Sequence, residues 1–333
     1  MNGLIALDWG TSSLRAMLMG ADGAVIETRR RPWGIRQLPE GGFAGALDAA
    51  VSGWPSLPRI ASGMVGSRSG WREVAYLELP AGRDQLALAL DGPMARGHPG
   101  PSRAIHPGHP DGLAIVPGLH NRRGPDVMRG EETQLVGLVA QYPAAADGTV
   151  LLPGTHSKWV SLQQGSVVDF CTLMTGELFA LLRKHSILGA DIGADAAVAP
   201  TDNEAFLDGV HSARDSGGAG ALSRLFATRA RMLDGALKTV SVPDYLSGLL
   251  IGEEFRSMQV DRRMCTDRPL WLIGDADLCA RYRLAAAEFS IELAPAVDDT
   301  AAAGLWWLAR AGGLLDASGP DQPNLLSVPG VSP

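Results

Sequence analysis

Cysteine is scarce in this chain of 333 residues, where Cys171, Cys265 and Cys279 are the whole set. An odd number without close ligand spacing excludes a disulfide framework and a cysteine-based zinc site, so these read as reduced, mostly buried thiols. No apolar run is long enough to span a bilayer, and no basic segment leads into a short apolar stretch as a secretory signal would. The expected compartment is therefore the cytoplasm, with no membrane partner. Positive charge is also short, 29 Lys and Arg against 36 Asp and Glu for a formal net charge of −7. That balance argues against a nucleic-acid surface, although a local arginine patch can still serve a small anion. The hydrophobic fraction, 46%, and the length together suit a two-domain globular enzyme with a large core.

Against these absences stands a clear organising stretch, Leu4–Leu18, in which an apolar strand, a polar turn and a second strand-like run follow one another. Gly10 permits a tight turn with its backbone amides close to a ligand, and Thr11, Ser12 and Ser13 add hydroxyl donors. Asp8 at the strand end can hold a cation, and an acid beside such donors suits Mg²⁺-bound phosphate, because the metal offsets the repulsion between carboxylate and phosphate. An ordinary hairpin with a Gly-Thr-Ser turn is the plainer alternative. A second copy, Val150–Leu162, again sets Gly154-Thr155-His156-Ser157 between an apolar strand and a further strand, and it aligns with Gly10–Ser13 without a gap. Two such hairpins point to two similar half-domains gripping one polyphosphate.

Ile5–Ala16 resembles the first phosphate motif of the sugar kinases in the actin, Hsp70 and hexokinase superfamily, in the glycerol-kinase style. More narrowly, Gly63–Trp71, Pro125–Gln134 and Leu152–Trp159 together resemble the 2-dehydro-3-deoxygalactonokinase family, and the resemblance runs from near Leu4 to near Arg310. It implies an α/β fold of two ribonuclease-H-like (actin-like ATPase) domains with a central cleft. It also implies ATP and Mg²⁺ as cofactors, and transfer of the γ-phosphoryl group to the 6-hydroxyl of 2-dehydro-3-deoxy-D-galactonate in galactonate catabolism. A kinase of another aldonate or sugar, or a nucleotide-dependent clamp that transfers no phosphate, are the rival functions on the same fold.

Ala24–Arg31 alternates as a third strand, and Arg29 and Arg30 suit a solvated sheet edge. Phe43–Trp54 has helical spacing, and a strand over Arg59–Val65 delivers the loop Gly63–Trp71 at its carboxyl end, where open α/β sheets place ligands. In that loop Arg68 offers the planar fork that a carboxylate needs, with capping or surface pairing as its plainer use. Gly66, Ser67, Trp33, Asn121 and Arg122 complete the expected substrate set. Pro93–Pro117 is an irregular stretch whose His98, His106 and His109 lack acidic or cysteine neighbours at ligand spacing and read as loop histidines. A short strand at Ala114–Pro117 is followed by a polar loop, Gly118–Arg123, and the domain boundary is expected there, giving domains 1–118 and 119–312. The last helix is free to pack back on the first domain, and 313–333 reads as a frayed tail.

Glu131 and Glu132 start a helix over Glu131–Tyr142, where the dipole favours acids whatever their role. The superfamily places the base that deprotonates the sugar hydroxyl just before such a helix, so the resemblance implies Glu131 as base, with Glu in place of the usual Asp and Asp126 as the alternative. Thr175–Leu182 reads as a capped helix whose Glu177 is explained by capping alone. Gly189–Gly220 carries little signal, and helices follow over Leu222–Leu237 and Tyr245–Phe255. A strand at Pro269–Ile273 turns through Gly274-Asp275 into a helix over Leu278–Ala287, an arrangement common in α/β turns that also matches the family's adenosine segment. The expected nucleotide set is therefore Gly10, Thr11, Ser12, Arg15, Gly154, Thr155, Ser157, Lys158, Gly274 and Asp275, with Asp8 on the metal. A small-molecule sugar acid is the expected substrate partner, and a homodimer is allowed.

Overall fold

Leu4–Trp9 forms β1, and Leu14–Met19 forms β2 antiparallel to it, in a register that sets Asp8 opposite Arg15. Every residue of β1 except Asp8 is buried, so a continuous apolar run becomes a central strand. The computed structural model describes residues 3–92, 112–190, 201–261, 267–297 and 299–315. The readings of His98, His106, His109 and Cys265, and of the tail from residue 316, lie outside the described residues.

β3 (Val25–Arg31) flanks β2 at the edge, and β4 (Arg59–Ser62) and β6 (Leu113–Ile115) extend the sheet in parallel from β1, giving the order β3-β2-β1-β4-β6. Helix α1 (Gly42–Val51) buries Ala46, Leu47, Ala50 and Val51 in the core beneath this sheet. Arg29 is more than a solvated edge residue. Its guanidinium donates to the carbonyls of Ala50 and Ser52 at 3.1 and 2.7 Å, closing the carboxyl end of α1.

A small sheet, β5 (Leu77–Glu78), β7 (Leu119–Asn121) and β8 (Asp126–Met128), follows the order β5-β7-β8. β7 corrects the expectation of a polar loop over Gly118–Arg123. Its Leu119 and Asn121 are buried, and Asn121 satisfies its amide by donating to Asp169 at 2.6 Å, which lets a polar triplet serve as a strand. Helix α2 (Arg83–Leu88) precedes the undescribed stretch, and α3 (Glu131–Gln141) follows β8.

The other main sheet repeats the order of the first. β9 (Gly148–Leu152) and β10 (Ser157–Gln163) form an antiparallel hairpin, β11 (Ser166–Leu173) lies beyond β10, and β12 (Trp271–Leu272) runs parallel to β9, giving β11-β10-β9-β12. Its helices are α4 (Thr175–His185), α5 (Asn203–Arg214), α6 (Leu225–Leu233), α7 (Val242–Val260) and α8 (Ala276–Glu288). α5 falls in the stretch that carried little signal. Its start is marked by Asp202, whose carboxylate accepts from the Ala205 amide, and its packing on α7 uses bare glycines: a Cβ on Gly248 would sit 1.9 Å from the Phe206 carbonyl.

The chain divides into two compact units, Met1–Ala146 with Gln163–Asp169 and Asp299–Pro333, and Asp147–Leu162 with Phe170–Asp298. A boundary after residue 118 would fall inside the first unit. The reason is the packing of α3 on the last helix, α9 (Ala301–Ala311): Cβ atoms on Gly137 and Gly304 would lie 2.0 and 1.8 Å from the carbonyls of Thr300 and Thr133, and Thr300 donates to the Gln134 carbonyl at 2.7 Å.

Candidate functional site

In the first unit the turn Gly10–Ser13 closes with Gly10 donating to the Ser13 carbonyl at 2.9 Å. The carbonyls of Gly10 and Thr11 accept from Ile35 and Arg36, so one side of the turn is covered by the chain after Trp33. That covering requires glycine at Gly34, where a Cβ would lie 2.2 Å from the Ser12 amide. Among the described residues nothing accepts from the amides of Thr11 and Ser12, and Ser12 is exposed. These are donors placed for an anion. Trp33 supports the turn, its carbonyl accepting from Trp9 Nε1 at 2.8 Å, and its half-buried side chain packs on the core.

Asp8 ends β1 with its carboxylate 2.9 Å from Arg15, and Arg15 also pairs with Asp299 at the start of α9. Arg15 is thereby held between carboxylates, and Asp299 is a neighbour that the hairpin motif alone did not point to. The Asp8 side chain is 35% exposed, which leaves room for a ligand at its free edge. Among the described residues no cluster of three or more His, Cys, Asp or Glu could hold a metal. A lone strand-end carboxylate fits Mg²⁺ in the manner that ion favours, through one or two carboxylates with substrate phosphate and water.

Also in the first unit, the loop after β4 and the start of α3 meet. A Cβ on Gly130, itself at φ 114°, would lie 3.4 Å from Gly63 Cα. Gly63, at the start of the loop that carries Gly66, Ser67 and Arg68, thus lies against the residue before Glu131. Arg68 is exposed, whereas Ser67 is buried with its hydroxyl unpartnered. Beneath the loop Arg129 is buried, its Nη2 donating to the Val74 carbonyl at 2.7 Å and its guanidinium 4.2 Å from the Tyr76 ring centroid. A Cβ on Gly66 would come within 2.9 Å of Arg129 Nη1 and of Ile115 Cγ2, so the loop lies close over both side chains.

The two acids at the start of α3 differ sharply in environment. Glu132 is fully buried, with both oxygens accepting from the Gly130 amide at 2.9 and 2.7 Å, and burial followed by the neighbouring Glu131 charge pushes its carboxyl up to about 8. Burial thus favours its neutral form around neutral pH. Glu131 is half-buried and accepts from the Arg129 amide at 3.0 Å. Asp126 opens β8 and accepts from its own neighbour Val127 at 2.7 Å. Asn121 ends β7, and Arg122 follows it. Asn121 is spent on Asp169 and on the amides of Arg123 and Gly124, and exposed Arg122 pairs with Glu78.

In the second unit the turn differs from the first by one residue. Trp9 pairs with Leu14 across Gly10–Ser13, but Leu152 pairs with Lys158 across Pro153–Ser157, with Pro153, which has no N–H for the ladder, set inside the turn. The gapless alignment of Ser13 with Ser157 consequently does not carry into space. Ser13 is exposed; Ser157 is fully buried and hydrogen-bonded to the Tyr282 hydroxyl at 2.9 Å. Lys158 is buried too, its Nζ donating to Thr172 at 2.7 Å. The exposed donors of this turn lie at Gly154–His156.

Those residues rest on the first turn of α4. Glu177 donates its amide to the Thr155 carbonyl at 3.0 Å, a Cβ on Gly176 would lie 2.6 Å from the Gly154 carbonyl, and His156 contacts the Glu177 carboxylate at 2.5 Å. Glu177 is thus tied to the turn, and no side chain caps α4. Gly274 lies alongside, where a Cβ would be 3.5 Å from the Pro153 carbonyl, while the Asp275 carboxylate caps α8 by accepting from Asp277 and Leu278. The Asp275 side chain is engaged in the cap.

Two sheets with the same strand order, each carrying a polar glycine turn between its antiparallel strands, define the ribonuclease-H-like, actin-like ATPase class. Residues 8–308 match the family model described as 2-keto-3-deoxy-galactonokinase, and this chain belongs to that family. It is 39% identical over 312 residues to a probable 2-dehydro-3-deoxygalactonokinase of Rhizobium meliloti, covering 92% of this chain and 96% of that one. It is 33% identical over 314 residues to the 2-dehydro-3-deoxygalactonokinase of Escherichia coli, covering 92% and 97%. A crystal structure from Sinorhizobium meliloti assigned to the same activity superimposes with a TM-score of 0.78 at 38% identity, over 92% of this chain and 98% of that one.

Proposed function

We propose that this chain transfers the γ-phosphoryl group of ATP to the 6-hydroxyl of 2-dehydro-3-deoxy-D-galactonate, in the cytoplasm where ATP is held. The observation that supports the reading is the packing of Gly130, the residue before Glu131, on Gly63 of the loop that carries Gly66–Arg68, within a chain of this family. Glu131 is the group that takes the hydroxyl proton as O6 bonds to phosphorus and the bond between the γ-phosphorus and its bridging oxygen breaks, releasing ADP. Full burial of Glu132, with both oxygens accepting from the Gly130 amide, favours Glu131 over it. Arg68, exposed on the loop, is the partner of the acid's carboxylate through its planar fork.

Each glycine turn is assigned to nucleotide phosphate, by the amides of Thr11 and Ser12 in one unit and by Gly154 and Thr155 in the other. Asp8 would hold Mg²⁺, which when bound supplies charge neutralisation to the phosphates. Little covalent work falls to the side chains, since phosphoryl transfer is chiefly positioning and electrostatic stabilisation.

The test is a panel of 2-keto-3-deoxy acids, aldonates, sugars and glycerol offered with MgATP, with ADP release and the position of the new phosphate ester both read. Preferred phosphorylation of the galactonate-derived acid at O6 is expected. Tight MgATP binding with no transfer to any acceptor would replace the kinase reading with that of a nucleotide-dependent clamp.

A further inference from the structure

Glu254, on α7, is completely buried, yet its carboxylate is surrounded by donors. Oε1 accepts from Trp159 Nε1 at 2.7 Å, and Oε2 accepts from the hydroxyls of Thr175 at 2.5 Å and Tyr282 at 2.8 Å. Because Tyr282 gives its proton to Glu254, the Ser157 hydroxyl donates in turn to Tyr282 at 2.9 Å. The elements so tied are β10, α4 and α8. Ser157 is the last residue of the second turn, and Thr175 opens the helix on which Thr155 and Gly154 rest. Both supports of that turn therefore converge on one carboxylate, with which the Ser157 hydroxyl also shares a hydrogen bond.

We propose that Glu254 is a positioning residue for nucleotide binding, which as a carboxylate holds Gly154–His156 in their phosphate-receiving conformation through Thr175 and through the Tyr282–Ser157 pair. The inference rests on the assignment of this turn to nucleotide phosphate. An anion accepts from three donors at once, whereas a carboxylic acid must donate from one oxygen and so turn Thr175 or Tyr282 away. The groups facing Glu254 are Trp159, Thr175 and Tyr282, with Ser157 behind the phenol. Only Tyr282 among them titrates, and burial, followed by the Glu254 charge, raises it well above its usual range, so it keeps its proton. Burial raises Glu254 to about 7 against the pull of its hydrogen bonds, which brings the anion requirement into the working range of pH. No charged side chain outside this network is needed.

The experiment uses the full chain and compares wild type with Glu254→Gln, whose amide keeps the volume but can no longer accept from all three donors. Hydrogen exchange without ligand is read at residues 154–157 and at the Glu177 amide, and MgATP binding is read from about pH 6 to about pH 8.5. Faster exchange confined to the turn and a dissociation constant raised on the order of tenfold at neutral pH are expected, the scale of one charge-assisted hydrogen bond. Wild-type affinity should fall as pH drops through about 7, and Glu254→Gln should flatten that dependence, while the KM of the acid is unmoved.

Unchanged exchange at the turn overturns the proposal whatever ATP does. Faster exchange with wild-type affinity also overturns it, by detaching the turn from the nucleotide. Failure of wild type to bind MgATP removes the phosphate reading and the proposal with it, and is told apart by the exchange data. Should Glu254→Gln not fold, Tyr282→Phe cuts only the Ser157 arm, and the same changes at reduced size are expected from it.

Discussion

Arg15 Nη2 stands 2.9 Å from Asp8 Oδ2, across a hairpin whose register sets the two residues opposite one another. The same guanidinium pairs with Asp299 before α9, so the expected metal carboxylate is oriented by a cation within the first unit and not by other acids.

Asp8→Asn removes one charge with little change of volume. An ion pair on a carboxylate that is 35% exposed contributes little to stability, so the melting temperature should hold while turnover falls by roughly 100-fold or more through loss of the Mg²⁺ contact. Mg²⁺ dependence of nucleotide binding, read by titration, should weaken as well. A folded Asp8→Asn protein with near-normal turnover sinks this role.

Arg68→Lys keeps the charge but loses the planar fork. The expected result is a KM for the sugar acid raised by roughly tenfold with the KM for ATP unchanged. If the defect falls on ATP, Arg68 belongs elsewhere.

For the base, Glu131→Gln should cut turnover by roughly 10²–10⁴-fold while MgATP binding survives, because the amide keeps shape but takes no proton. Steady-state kinetics on Glu131→Gln and Asp126→Asn together decide the assignment. An active Glu131→Gln beside an inactive Asp126→Asn would move the base to β8.

Gly304→Ala tests the packing of α9 on α3. The new Cβ would meet the Thr133 carbonyl at 1.8 Å, a backbone contact that cannot swing aside, so the helices must separate. A loss of about 3 kcal/mol is expected by urea denaturation, near the upper end of overpacking costs. A neutral substitution would mean that this crossing is loose.

Glu132 gives a pH prediction. Its folded value, about 8, lies above its ordinary 4.5, so its favourable contribution is complete below about 4.5, shrinks as pH rises, and is gone above about 8. Glu132→Gln stays neutral throughout, so its stability relative to wild type should climb with pH across that window by about 1 kcal/mol per pH unit and level off beyond it. A flat difference would show that Glu132 is ionised at neutral pH in the fold.

The sequence by itself determined the duplicated plan. Apolar runs bounded by Gly-Thr-x-Ser turns can only be buried strands with exposed polar turns, and the structure has β1–β2 and β9–β10 where those patterns lie. The Gly63–Trp71 and Pro125–Gln134 motifs were legible through their resemblance to the family that residues 8–308 match. Helices with regular spacing, such as α1 and α3, were also legible, since periodicity is a local property.

Only the tertiary structure decided what depends on distant partners. Leu119–Asn121 is a strand because Asp169, far along the chain, satisfies the Asn121 amide. α5 exists because bare Gly209 and Gly248 let it close on α7, a fit that no window of sequence contains. Ser157 and Lys158 look like phosphate ligands in one dimension, yet both are buried, Ser157 on the Tyr282 hydroxyl and Lys158 on Thr172, partners that other elements bring to the strand. Glu132, Arg129 and Glu254 are ordinary charged residues until burial gives them their properties. Desolvation and hydrogen bonding act through space, and the order of residues along a chain does not state what will surround them.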